Sequence, residues 1–209
     1  MTTKLLDELA DHWAFETSVR LTQQMVRTDS TCGKEGLLAR QLEEELKALD
    51  IGKVWCEEVS EDLENTLMEV DSGKPGPHLL FTGHLDTKPV CEGWTRDPFD
   101  GAIEDGHLFG HAVMDMKAGL GCQVGAIKSL VDGDVDFNGK ITFAAVCDHM
   151  GQQTGSIDLF RRHEFDHCVL GELTGMQIYV AHRGRYYFDI STVGLSAHTC
   201  HKDLAINAI

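Results

Sequence analysis

No C-x-x-C pair occurs among the seven cysteines (Cys32, Cys56, Cys91, Cys122, Cys147, Cys168 and Cys200). That excludes a zinc ribbon and a thioredoxin-like redox motif. Positive charge is also scarce: 18 Lys and Arg stand against 34 Asp and Glu, a formal net charge of -16. Such a surface repels phosphate and argues against nucleic-acid binding. No apolar run approaches the length of a membrane span. The opening residues Met1 to Glu8 have no basic stretch followed by an apolar one, so no signal peptide is expected. Internal repeats and low-complexity tracts are absent. The odd number of cysteines, several inside apolar runs such as Val146-Cys147 and Cys168-Val169, fits small buried hydrophobes in a reducing, cytoplasmic compartment. What remains is globular: 42% hydrophobic and 25% charged residues in a chain of 209, enough for one core and the start of a second.

Periodicity supplies the architecture. Leu5, Leu9, Trp13, Leu21 and Met25 recur at helical spacing, Thr28 to Gly33 breaks the pattern, and Leu38, Leu42, Leu46 and Leu49 mark a second amphipathic helix. Strand-like pieces follow at Val54 to Val59 and Leu67 to Val70. After the Gly73 to Pro77 turn, His78 to Thr82 reads as a short buried strand. Beyond a loop from Gly93 to Gly110, Lys117 to Val131 predicts a helix, Lys140 to Val146 a strand, Ser156 to Arg162 a helix and Cys168 to Leu170 a strand. Strands alternating with helices imply an α/β fold, a mostly parallel sheet with helices on both faces. From Gly184 the pattern becomes an alternation of Tyr186, Phe188, Ile190 and Thr192, which predicts a strand in a new unit. The expected organisation is one domain over 1–182 and the beginning of a small α+β domain over 183–209. Leu204 to Ile209 reads as the start of a helix, and truncation is the expectation that accounts for it.

Three segments carry chemistry. Gly83-His84-Leu85-Asp86 follows the buried strand, and alternation lets His84 and Asp86 face one site at its carboxyl end, where open α/β sheets place their ligands. An imidazole is a good zinc ligand, and a nearby carboxylate can orient it or a reacting water. Asp115-Met116-Lys117 opens a helix, where Asp115 reads as a helix cap or as a ligand. Glu172 leaves the strand that ends at Leu170. Each signal is weak alone; the combination of three strand-end donors in an α/β pattern points to a metal site.

Taken in order, Leu79-Leu-Phe-Thr-Gly-His-Leu-Asp-Thr87, Gly93-Trp-Thr-Arg-Asp-Pro-Phe99, Asp115-Met-Lys-Ala-Gly119 and Gly194-Leu-Ser-Ala-His198 resemble a known superfamily. It comprises the zinc aminoacylases, acetylornithine deacetylases, succinyl-diaminopimelate desuccinylases and glutamate carboxypeptidases. The resemblance runs from about Thr28 to Ile209. It implies a cytoplasmic metallohydrolase that cleaves amides of N-acyl amino acids or small peptides with one or two Zn2+ ions, for which Co2+ or Mn2+ could substitute. His84 and Glu172 would bind one metal and Asp115 would bridge to a second. Asp86 would orient the ligating histidine. His198 would lie in a lid or dimerisation domain and reach the substrate, in its own or a partner subunit of a homodimer.

The sequence departs from that pattern at one place. Two adjacent glutamates are expected after the next strand, a general base and a ligand of the second metal, but the chain reads Cys147-Asp-His-Met-Gly-Gln152. Met150 offers a soft thioether, a poor substitute for a carboxylate on zinc. His149 reads either as a replacement base or ligand, or as a polar residue in a degenerate site. A final histidine ligand has no counterpart within these residues. A non-catalytic relative, serving as a metal-binding or assembly module, is the alternative reading. His111, close to Asp115, is expected at the surface or just behind the ligands.

Overall fold

A computed structural model describes residues 9, 11–184, 186 and 188–209; Leu5, and Arg185 at the start of the expected strand, lie outside them. The described chain divides into two compact units, Met1–Gly175 and Met176–Ile209, a few residues ahead of the expected boundary at 182.

Among the described residues of the first unit, three helices form where an apolar seam recurs at helical spacing. Helix α1, Phe15–Val26, buries Leu21, Met25 and Val26. Helix α2, Glu35–Ala48, buries Leu38, Leu42 and Leu46. Helix α3, Ala118–Asp132, buries Leu120, Val124 and Ile127. Among the described residues there are seven strands: β1 Lys53–Ser60, β2 Leu63–Asp71, β3 His78–His84, β4 Ile103–Glu104, β5 His107–Leu108, β6 Lys140–Val146 and β7 His167–Leu170. A fourth helix, α4, spans Thr154–Arg162. The small β4–β5 hairpin sits inside the segment that the sequence presents as a loop.

The main sheet has the order β1-β2-β6-β3-β7. β1 pairs antiparallel with β2, and β2 antiparallel with β6, whereas β3 runs parallel to both β6 and β7. The layered α/β class is as expected, but the sheet is mixed, with as many antiparallel as parallel pairings. The cause is local: only Glu61 and Asp62 separate β1 from β2, with Asp62 left-handed at φ 61°, and so short a connection permits only a hairpin. Alternation along β6 then splits the core. Ile141, Phe143 and Ala145 face the cluster built with α1, α2 and α3, while Ala144 and Val146 face a smaller cluster with Leu159 of α4. Helices therefore cover both faces, and each fully buried large apolar side chain contributes about 1.5–3 kcal/mol.

Parallel pairing positions the site. His84 at the end of β3 is level with Val146 at the end of β6, and Leu170 of β7 is level with Thr82. The segments that follow β3, β6 and β7 consequently leave the sheet at the same edge. Gly119, in the first turn of α3, lets that helix approach them: a Cβ there would collide with the Gly171 carbonyl oxygen. β7 itself is exposed throughout, because as the last strand of the sheet it is paired on one side only. Cys168 is accordingly exposed rather than buried, whereas Cys147 is buried as expected.

In the second unit an antiparallel bridge joins Leu195 to Ile206 around a 3-10 turn, Thr199–Leu204. The described residues from 186 to 192 form no strand, and Ile206 is bridged rather than helical. Both differ from the periodicity, because large side chains such as Phe188 and Ile190 remain exposed and no burial enforces the alternation. Among the described residues no helix is long and apolar enough to cross a membrane.

Candidate metal centre

His84 is 2% exposed. Its Nδ1 lies 2.8 Å from the backbone carbonyl oxygen of Asp86. A carbonyl can only accept, so Nδ1 carries the proton and donates it, and the lone pair belongs to Nε2. Nε2 is 3.2 Å from Asp115 Oδ1 and 3.4 Å from Glu172 Oε1, yet it is buried without a hydrogen-bond partner. A lone pair between two carboxylates is repulsive unless a proton or a cation sits among them. Burial pushes the His84 pKa down, but the Glu172 carboxylate and the Asp86 carbonyl outweigh it and hold the pKa above its ordinary value. Glu172, beside His84, is held below the usual carboxylate range.

Asp86 is fully buried, and its carboxylate does something other than expected. Oδ1 accepts the backbone N–H of His149 at 2.9 Å and Oδ2 that of Met150 at 2.6 Å. Its contact with the imidazole of His84 is made by the main chain; the nearest carboxylate approach is 4.0 Å. Asp86 therefore fixes both histidines, one through its carbonyl and the other through its side chain.

The turn after β6 is tied at several further points. Glu35 Oε1 accepts the Asp148 N–H and Oε2 the Gly33 N–H. Asn65 Oδ1 accepts the Cys147 N–H. Asp148 Oδ2 accepts from the backbone N–H groups of Gln152 and Thr154 and from the Thr154 hydroxyl. Within this frame the His149 ring stacks on that of His84, with centroids 4.4 Å apart and planes 4° from parallel. Its Nε2 lies 4.0 Å from Glu172 Oε1.

The structure thus brings His84, Asp115, Glu172 and His149 together, backed by Asp86. Asp115 precedes α3 in a non-helical turn, with φ -127° and ψ 85°, and so does not cap that helix. His111 is half-buried and bonds through Nε2 to the Lys88 carbonyl. His198 belongs to the second unit, where its Nδ1 accepts the Cys200 N–H and starts the 3-10 turn. Two buried groups that support the site carry no local sequence signal. Glu35 is fully buried, although an acidic residue opening an amphipathic helix normally signals only a favourable helix dipole. Lys117 is also fully buried and donates to the carbonyls of Met25 and Thr28, which ties α1 to the Asp115 turn. Burial lowers its pKa to about 8.

The donors suit a divalent cation. Bonds of about 2.0–2.2 Å in a tetrahedral site keep neighbouring donor atoms roughly 3.3–3.6 Å apart, close to the 3.2 and 3.4 Å that separate His84 Nε2 from Asp115 and Glu172. Ligating atoms of His84, His149 and Glu172 all lie within 4.8 Å of one another.

An α/β sheet with a histidine–carboxylate cluster where its parallel strands end defines a candidate metalloprotein. Comparison with known proteins gives the family: residues 80–191 match the model of peptidase family M20/M25/M40. That segment is more than half of the chain, and the chain belongs to this family. It is 32% identical to a succinyl-diaminopimelate desuccinylase of Methylobacterium radiotolerans, over 96% of the chain and 55% of the relative. A second desuccinylase, from Methylorubrum populi, is 33% identical over 93% of the chain and 54% of the relative. The chain therefore spans about half the length of the curated relatives it matches. Among solved structures, an M20 family metallo-carboxypeptidase from Sulfolobus solfataricus aligns with a TM-score of 0.63 at 19% identity, covering 74% of this chain and 37% of that one. Human carnosine dipeptidase 1 aligns with the same score and identity, over 81% and 41%. Both share the fold.

Proposed function

We propose that this chain carries the metal centre of a hydrolase that cleaves amide bonds in N-acyl amino acids or small peptides. The observation that carries the reading is the buried, unbonded Nε2 of His84 between the carboxylates of Asp115 and Glu172. The names of the relatives, desuccinylase and dipeptidase among them, support the amide class. His84, Asp115 and Glu172 would hold the ion, with Zn2+ the best match to a nitrogen and oxygen donor set and Co2+ or Mn2+ able to substitute. The bound ion would supply Lewis acidity, polarising an amide carbonyl and lowering the pKa of a water.

The protein's own groups do the remaining work. Asp86 fixes the tautomer of His84 and holds the turn on which His149 stands. The Nε2 of His149 lies 4.0 Å from Glu172 of the ligand cluster. His198, through its motif, is the proposed substrate-binding residue, and 183–209 the beginning of a lid or dimerisation domain in a homodimer. A cytoplasmic location belongs to the same proposal. A second reading, a non-catalytic metal-binding relative, is favoured by one observation: His149 and Met150 stand where the resemblance places a pair of glutamates.

Hydrolysis of N-acetyl and N-succinyl amino acids and of dipeptides, assayed with added zinc, cobalt or manganese, separates the two. Losing a glutamate base typically removes about two to four orders of magnitude in rate, so turnover by this chain should sit near background. Residual metal-dependent turnover lost in His84→Ala supports the hydrolase. A metal-loaded protein with no turnover, even after His149→Glu, supports the non-catalytic relative.

A further inference from the structure

We propose that His149 is a metal ligand and not a proton carrier, so that the centre holds a single ion between His84, His149 and Glu172 with Asp115 alongside. The inference rests on the metal-centre reading above and assigns the one residue that reading leaves open.

Three observations carry it. First, the ring of His149 is stacked parallel on that of His84 at 4.4 Å, and its Nε2 comes within 4.0 Å of the Glu172 oxygen that also faces His84. Ligating atoms of the two imidazoles and the carboxylate lie within 4.8 Å of one another, and rotation of the His149 ring out of the stack would turn its lone pair towards the point that His84 and Glu172 share. Second, the convergence is built. Asp86 holds the His149 and Met150 backbone, Glu35 holds Asp148 and Asn65 holds Cys147. A turn fixed at that many points presents its side chain in one place, as a ligand requires. Third, the charges balance for one divalent ion and not for two. Two neutral imidazoles with the carboxylates of Asp115 and Glu172 neutralise a single 2+ charge. Met150, next to His149, brings a thioether and not a carboxylate to the turn, and thioethers are poor ligands for zinc.

The test uses the full chain loaded with Co2+, followed by native mass spectrometry and by its visible absorption. Wild type should bind one equivalent. His149→Gln should keep the fold, by circular dichroism, but change the cobalt absorption and weaken binding by more than the roughly 10–100-fold typical of losing an outer-shell partner. His149→Cys should add a sulfur-to-cobalt charge-transfer band that wild type lacks, a signature that a merely structural residue would not give and that remains informative if the Gln variant unfolds. An unchanged spectrum and affinity in both variants would overturn the proposal while leaving the metal centre standing. Two equivalents in wild type would overturn the single-ion site. Failure of wild type to bind any metal would remove both this proposal and the reading it rests on.

Discussion

Asp86 Oδ1 accepts the backbone N–H of His149 at 2.9 Å, so the carboxylate of the His-x-Asp pair acts on the neighbouring turn, and Asp86 reaches the histidine two residues before it through its backbone carbonyl. The relationship couples two strands. Whatever displaces the carboxylate after β3 also displaces the imidazole after β6.

Asp86→Ala should therefore destabilise the fold and loosen the centre together. Two backbone N–H groups lose their acceptor, which costs about 2–6 kcal/mol if neither finds water. Asp86→Asn keeps one acceptor and should lose about half as much. Urea denaturation measures the stability, and zinc titration of the same samples measures the coupling. An Ala variant as stable as wild type would mean that the turn is held by its other ties alone.

Glu35 supplies a prediction about pH. It is fully buried, and burial raises its pKa above the ordinary 4.5. The sign follows from proton counting. Below 4.5 the carboxyl is protonated in both folded and unfolded chains, and it exerts no pH effect. Between 4.5 and the raised value the folded chain holds the proton that the unfolded chain has lost, so stability falls as pH rises across that window. Glu35→Gln cannot titrate and should lack this slope. Melting temperatures of both proteins from pH 4 to 8 should converge towards acid pH and shift in favour of the variant as pH rises. A gap independent of pH would contradict it.

The cysteines separate by burial. The Cys147 thiol is pushed up to about 12 and that of Cys56 to about 11, both chiefly by burial, while Cys91 and Cys200 are exposed. Only a thiolate attacks alkylating reagents. Iodoacetamide at pH 8, read by peptide mass mapping, should label Cys91 and Cys200 first and reach Cys147 and Cys56 only on unfolding. Early labelling of Cys147 would mean that the turn after β6 opens readily.

Much of the first unit was legible because its elements pattern themselves. Lys140 to Val146 coincides with β6 because every other residue faces one of two covered layers, and α2 follows its leucines. The amino-terminal half of β2 was not legible. Asn65 and Thr66 are polar yet fully buried, since Asn65 bonds to Cys147 and Gly155 and Thr66 to the Ala39 carbonyl. Such residues look like a loop until their partners, 82, 90 and 27 residues away, are in place. With that half of the strand hidden, the β1–β2 hairpin and the mixed direction of the sheet were hidden too. In the centre, His84, Asp115 and Glu172 stood out because each lies in a motif at the end or start of an element. The His84 tautomer, the stacking of His149 and the part played by Glu35 depend on tertiary contacts that no local pattern encodes.

The central claim is that the unbonded Nε2 of His84 marks a metal site. Isothermal titration of metal-free protein with zinc, beside His84→Ala, tests it most directly. One equivalent bound by wild type and none by the variant, with both folded by circular dichroism, is the predicted result. Equal zinc uptake by the two proteins, or none by wild type, would contradict it.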